Sequence, residues 1–291
     1  MGTNITDAKS SMGEFKLPGG YLNGDILFDR VTLRELTGRE EDFLSAPNVD
    51  VNKKMNSVLV SCIKKISTND TRSSPQFKLK SPKVTSTIND GQEDVAVAPA
   101  VEEDSSDAAD YDDIVDADAK VIAVNNMTLG DRVFLIIALR RVSLGDDFEF
   151  SINCPECNKE MKKVVDLSAL DIEEMSDKRK RFYDITLPSG KGVRMRVLLG
   201  KDEEKITSLA SKKRNIMSQA LLTRIESIDD EPASINILQE LSLKDRNYIR
   251  QVFSEEEGGV DTTIGILCSD CSFDFDTELN MGDTNFFFPS V

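Results

Sequence analysis

Four of the five cysteines fall into two short motifs, Cys154-Pro155-Glu156-Cys157 and Cys268-Ser269-Asp270-Cys271. Thiolates spaced this way at a hairpin tip can hold one edge of a tetrahedral zinc, and two such tips complete a four-sulfur site. A site of that kind has no open coordination position, and an open position is what zinc-assisted hydrolysis needs. Cys154, Cys157, Cys268 and Cys271 are therefore read as ligands of one structural zinc that staples the chain, and no residue is assigned a catalytic role. The rival readings are a redox pair, a disulfide framework, four unrelated buried thiols, or two separate sites. A redox C-x-x-C opens a helix after a strand, whereas strand-like sequence follows both motifs here. Cys62, among apolar neighbours, reads as core.

The elements that must position these thiols can be read outward from them. Residues 148–153 and 263–267 read as strands leading into the two motifs. Residues 161–165 and the alternating Phe273-Asp274-Phe275-Asp276 read as strands leading out, so both motifs are hairpin tips. Upstream, Thr128-Leu129-Gly130-Asp131-Arg132 and Ser242-Leu243-Lys244-Asp245-Arg246 stand at the same distance from their cysteines. A hydroxyl followed three positions later by an acid is a helix-start signature. The apolar run of residues 133–139 makes the first of these helices the expected central buried one.

Further matches keep the same order. Leu17-Pro18-Gly19-Gly20 answers Leu187-Pro188-Ser189-Gly190, and Leu36-Thr37-Gly38-Arg39-Glu40-Glu41 answers Leu199-Gly200-Lys201-Asp202-Glu203-Glu204. A helix over residues 52–66 is expected to have its counterpart over 213–228. The common order predicts an α+β fold built by internal duplication, each half ending in a zinc-knuckle hairpin and the two knuckles forming one zinc-ribbon-like site. Residues 1–66 and 114–180 form the first repeat and 181–291 the second.

Residues 67–113 interrupt this pattern. Between Lys83 and Lys120 there is no basic residue while Asp and Glu recur, so this segment supplies most of the net charge of −16. Such composition buries too little apolar surface to offset ordering entropy, which predicts a disordered acidic insertion, with an acidic interaction tail or a nucleic-acid mimic as the alternative.

Other features narrow the function. There is no histidine, and no phosphate-binding glycine loop or nucleophile elbow, so an enzyme is the least supported class. A zinc-ribbon nucleic-acid binder would want basic surfaces around its knuckles. Lys159, Lys162 and Lys163 flank the first, but the second is acidic. Arg194, Arg196 and the run Lys212-Lys213-Arg214 could meet phosphate or an acidic partner, or simply be solvated. No window approaches a membrane span and the first residues lack a signal peptide's pattern, so an intracellular, soluble setting is expected, which favours metal over disulfide. Three consecutive phenylalanines are costly to leave in water. The segment Phe286, Phe287, Phe288 and Pro289 must therefore fold back into a groove or dock on another protein, and is taken as a candidate partner-binding site.

The ordered set of Leu-Pro-x-Gly turns, Leu129-Gly130-Asp131-Arg132, Cys154-Pro155-Glu156-Cys157, Leu187-Pro188-Ser189-Gly190 and Phe286-Phe287-Phe288-Pro289-Ser290 resembles the baseplate hub and baseplate-assembly proteins of contractile-tailed, T-even-like bacteriophages. The resemblance spans nearly the whole chain apart from residues 67–113. It implies a structural or assembly role in the tail baseplate around the hub and tube, with other baseplate and hub proteins as partners. The expected location is the host cytoplasm during assembly and the virion tail baseplate if the protein is retained; no membrane partner is expected, a homo-oligomer is admitted, and a zinc-ribbon nucleic-acid binder is the less favoured alternative.

Overall fold

The computed structural model describes residues 3–4, 13–47, 50–69, 113–210, 215–282 and 284–288. The fold is mixed α+β. After a short β1 (Thr3–Asn4), β2 (Glu14–Asn23) and β3 (Ile26–Leu33) form a hairpin, and α1 (Gly38–Ser45) and α2 (Val51–Cys62) follow. The chain then returns as β4 (Ile63–Ser67), antiparallel to β3, to give a sheet of order β2-β3-β4. Next come α3 (Ala117–Asn126), α4 (Leu129–Leu144) and a second hairpin, β5 (Asp147–Asn153) and β6 (Glu160–Asp166).

A 3-10 turn and β7 (Asp171–Glu173) lead into the second half. Its hairpin is β8 (Phe182–Thr186) and β9 (Gly192–Arg196), followed by a 3-10 turn running into α5 (Glu203–Ala210), then α6 (Ile216–Leu222) and β10 (Ile225–Ile228). β10 lies antiparallel to β9, as β4 does to β3, and β11 (Glu231–Pro232) extends that sheet. α7 (Ile235–Glu240), α8 (Leu243–Glu256), β12 (Gly259–Val260) and a last hairpin, β13 (Thr263–Leu267) and β14 (Asp274–Glu278), complete the order before α9 (Thr284–Phe287). Hairpin, helix pair, third strand, helix pair and final hairpin thus occur in the same order in both halves.

The polar fastenings also recur at matching places. Arg34 grips Glu40 with two guanidinium nitrogens at 3.1 and 2.7 Å, and Arg196 grips Asp202 at 2.7 and 2.8 Å. Each carboxylate also accepts a backbone N–H at 3.0 Å, from Thr37 and Leu199, so one acid closes the start of its helix and anchors the strand before it. Asp131 accepts the N–H of Gly19 at 2.7 Å and Asp245 that of Ser189 at 3.0 Å, tying the start of each long helix to the Leu-Pro turn of its own half.

α4 is buried along most of its length: Phe134, Leu135, Ile137 and Ala138 have no solvent exposure, and even Arg132, Arg140 and Arg141 are buried. The last two secure the exit to β5, Arg140 donating to the Gly145 and Asp147 carbonyls at 2.8 Å and Arg141 to the Asp146 carboxylate at 2.6 Å. α4 centres the larger of two main apolar clusters, and α8 packs into the other through Ile249 and Phe253.

Two expected helices are shorter than their patterns suggested. Instead of a helix over 52–66, α2 ends at Cys62 and residues 63–67 are strand β4. Ile63 and Ile66 would extend the helical stripe, but as a strand they reach the core while the backbone pairs with residues 30–33. Sheet hydrogen bonds over five residues outweigh one more turn of helix. The counterpart over 213–228 divides likewise into α6 and β10. The insertion is also bounded more tightly than 67–113: Ser67 pairs with Arg30, Ile66 and Ile114 exchange backbone hydrogen bonds at 3.1 and 2.8 Å, and Asp113 meets Lys65 at 3.0 Å. Residues 70–112, the rest of the expected disordered insertion, lie outside the described residues, as do 211–214 and Pro289.

Candidate metal centre

Each Cys-x-x-Cys turn is formed by the same backbone hydrogen bonds. Cys154 N–H donates to the Lys159 carbonyl at 2.9 Å and Asn158 N–H to the Cys154 carbonyl at 2.9 Å; Cys268 donates to Phe273 at 2.9 Å and Ser272 to Cys268 at 3.1 Å. The residue after the second cysteine is left-handed in both, Asn158 with φ 57° and Ser272 with φ 59°. That conformation turns the chain back into the outgoing strand and leaves both sulfurs of a tip facing the same way.

The two tips face each other. Cys154 Sγ lies 3.6 Å from Cys271 Sγ, and Cys157 Sγ lies 3.7 Å from Cys268 Sγ. Exchanging one tip for the other turns the first pair into the second, so the near equality is the mark of a local two-fold arrangement. All four sulfurs lie within 4.8 Å of one another, and all four are free thiols. Sulfurs bound about 2.3 Å from a tetrahedral metal are separated by about 3.8 Å, so the spacing suits a metal ion held by four sulfurs.

The surroundings act unequally on the thiols. Backbone N–H groups of Phe273 and Lys159 draw on Cys271 and Cys157, but desolvation and the neighbouring sulfurs outweigh them, pushing Cys271 up to about 12 and raising Cys157. Backbone N–H groups of Cys271 and Asp270 aimed at Cys268 Sγ draw that thiol down to about 6, and the Asp270 N–H stands 3.4 Å from the sulfur. Cys154 and Cys268 are each 1% exposed while Cys157 and Cys271 face solvent. Met161, Ile266 and their neighbours Phe150, Ile152, Ile264 and Phe275 form a small apolar collar under the sulfurs. Lys163 Nζ donates to the Leu267 carbonyl at 3.0 Å, a further tie between the hairpins. The chemistry available to four cysteine ligands is to hold an ion and join two hairpins that are far apart in sequence.

The remaining candidates are placed differently. Cys62 is buried in the main core, and burial pushes its thiol up to about 11, as suits an inert packing residue. Phe286 and Phe287 are not a surface anchor: both are buried in the main core, Phe286 edge-on to Phe148 with centroids 5.2 Å apart. Of the expected partner-binding segment, only Phe288 is both described and partly exposed. Arg196 is committed to Asp202. Arg194 lies over the Phe182 ring with Asp184 and Glu226 at 3.5 and 3.6 Å. Sequence reasoning missed the buried Arg132, which reaches Asn56 and Glu203 from the start of α4 and links the two halves. Its signal was an arginine placed after the capping acid of the most apolar helix.

Fold and site together define an α+β protein whose one cluster of metal-ligating side chains, among the described residues, could hold an ion between two hairpins. Residues 95–288 match the family described as T4 bacteriophage base plate protein, and the chain belongs to that family. No curated protein and no solved structure matches it. The matched stretch begins after the β2-β3-β4 sheet, so the resemblance over residues 1–66 rests on the motifs alone. No helix among the described residues is long and apolar enough to cross a membrane.

Proposed function

We propose that this chain is a structural or assembly protein of the phage tail baseplate, acting at the hub through contacts with other baseplate proteins, and that zinc is the ion at Cys154, Cys157, Cys268 and Cys271. Membership of the baseplate family carries the first part. The second is supported by four cysteine sulfurs at tetrahedral spacing, the donor set that a closed structural zinc site uses. Bound there, zinc would supply folding energy and no reactive position, consistent with a protein that is not an enzyme.

We also infer that the halves, 1–66 with 114–180 and 181–291, arose by duplication. The paired fastenings Arg34–Glu40 and Arg196–Asp202, and Asp131–Gly19 and Asp245–Ser189, support it. A nucleic-acid role fits less well. Lys163 is used on a carbonyl and Lys162 faces Glu149 at 3.4 Å, while the second hairpin presents Asp270, Asp274 and Asp276.

A phage in which this gene is interrupted early should produce lysates without complete baseplates by electron microscopy. Normal contractile tails would overturn the proposal. Mass spectrometry of purified particles then separates the two forms of it, since a structural part is retained at a fixed ratio and an assembly chaperone is absent.

A further inference from the structure

Among the contacts between the two halves, the one at the helix entries is one-directional. The loop entering α4 presents Met127 to Arg132, and the loop entering α5 presents Leu198 to Glu203. Leu129 N–H donates to the Leu198 carbonyl at 3.1 Å, Gly200 N–H donates to the Met127 carbonyl at 2.9 Å, and Arg132 pairs with Glu203. Gly200 has no room for a side chain, because a Cβ would lie 2.7 Å from Arg132 Cδ and from the Val124 carbonyl oxygen.

Both partners of this contact exist a second time, each without its mate among the described residues. The counterpart of the α4 entry is the α8 entry, with nearly the same backbone: Thr128 has φ −65°, ψ 157° and Ser242 φ −61°, ψ 155°. There Leu243, the equivalent of Leu129, is 76% exposed. Arg246 occupies the place of Arg132. It donates to Ser218 as Arg132 does to Asn56, but has no carboxylate partner among the described residues. The counterpart of the α5 entry is the α1 entry, where Thr37 has φ −125°, ψ 170° against φ −114°, ψ 162° at Leu199. Gly38 stands for Gly200 and has no atom within 4 Å of a Cβ built on it; Glu41 stands for Glu203 and is exposed. A concavity of about 350 Å³ lies beside it, lined in part by Leu36, Leu44 and Leu144.

We propose that copies of this chain associate head to tail, the α8 entry of one copy (Leu243, Arg246) docking on the α1 entry of the next (Gly38, Glu41) and repeating the contact already made inside each chain. A heterologous contact with both halves left open propagates into a ring or a filament. The occupant is a second copy because the chain itself displays the mate, with an arginine opposite a glutamate and a glycine where its own atoms require none. The inference stands on this geometry and is independent of the baseplate assignment.

The test is sedimentation of the purified full chain. Wild type should self-associate with rising concentration. Leu243→Asp and Gly38→Leu should each abolish the association with unchanged melting temperature, since neither side chain is packed in its own chain. Arg246→Glu and Glu41→Arg should each be monomeric alone and should associate when mixed. A wild type that remains monomeric at its highest soluble concentration overturns the proposal, and so does association that survives both Leu243→Asp and Gly38→Leu. Where Arg246→Glu does not fold, Leu243→Asp and Gly38→Leu decide the matter.

Discussion

The carboxylate of Asp131 accepts the backbone N–H of Gly19 at 2.7 Å while its other oxygen accepts the N–H of Thr128, so one buried acid both caps α4 and fixes the turn inside strand β2. Removing it strands two buried donors. Asp131→Ala should therefore lower stability by about 1–3 kcal/mol, the cost of buried donors left unsatisfied together with a lost cap. Denaturant unfolding that shifts by only a few tenths would mean the turn finds other partners.

Acid sensitivity should come from the carboxylates gripped by arginine. The Arg34 bonds, helped by Ser61 and Thr37, hold Glu40 well below the usual carboxylate range; at Asp202 burial opposes the shift, but the Arg196 bonds prevail and its value is also lowered. A depressed folded-state value means stability that is present above the unfolded value, about 4 for these side chains, and lost as pH falls through the folded value. Melting temperature should decline below about pH 5, and Glu40→Gln should be less stable at pH 7 but flatter in acid. An acid limb unchanged by Glu40→Gln would assign it to other groups.

The two ends of the acidic segment meet where Ile66 and Ile114 exchange hydrogen bonds. Replacing residues 70–112 by a short Gly/Ser turn should therefore leave the melting temperature nearly unchanged, because closing a shorter loop costs less entropy. A large fall would show that the acids contribute to the core.

Phe286→Ala should cost about 3–5 kcal/mol, the usual penalty for emptying a buried phenyl site. Phe288→Ala should cost far less, because that ring is partly exposed. Equal effects in thermal melts would contradict the placement of the two rings.

These contrasts show what could be read from the sequence. The cysteine tips, the helix starts at Thr128 and Ser242 and the buried α4 were legible because each is signalled by residues close together in the chain. The end of α2 was not, since Ile63 and Ile66 fit a helical stripe and only pairing with β3 makes them strand. The direction of the phenylalanines was equally hidden, because an apolar tail reads the same whether its pocket is its own or a neighbour's. Nor could Arg132 be matched to Glu203, because only the fold brings the α4 and α5 entries together.

The central claim is that one zinc, shared by both halves, staples the hairpins through four cysteines. Native mass spectrometry of the purified chain, with thermal unfolding in the presence and absence of a chelator, tests it directly. The account predicts about one zinc per chain, a marked loss of melting temperature on chelation, and the same metal loss and destabilisation from Cys154→Ser as from Cys268→Ser, because each leaves a single shared site one ligand short. A chain that carries no metal and melts identically with and without chelator would contradict it.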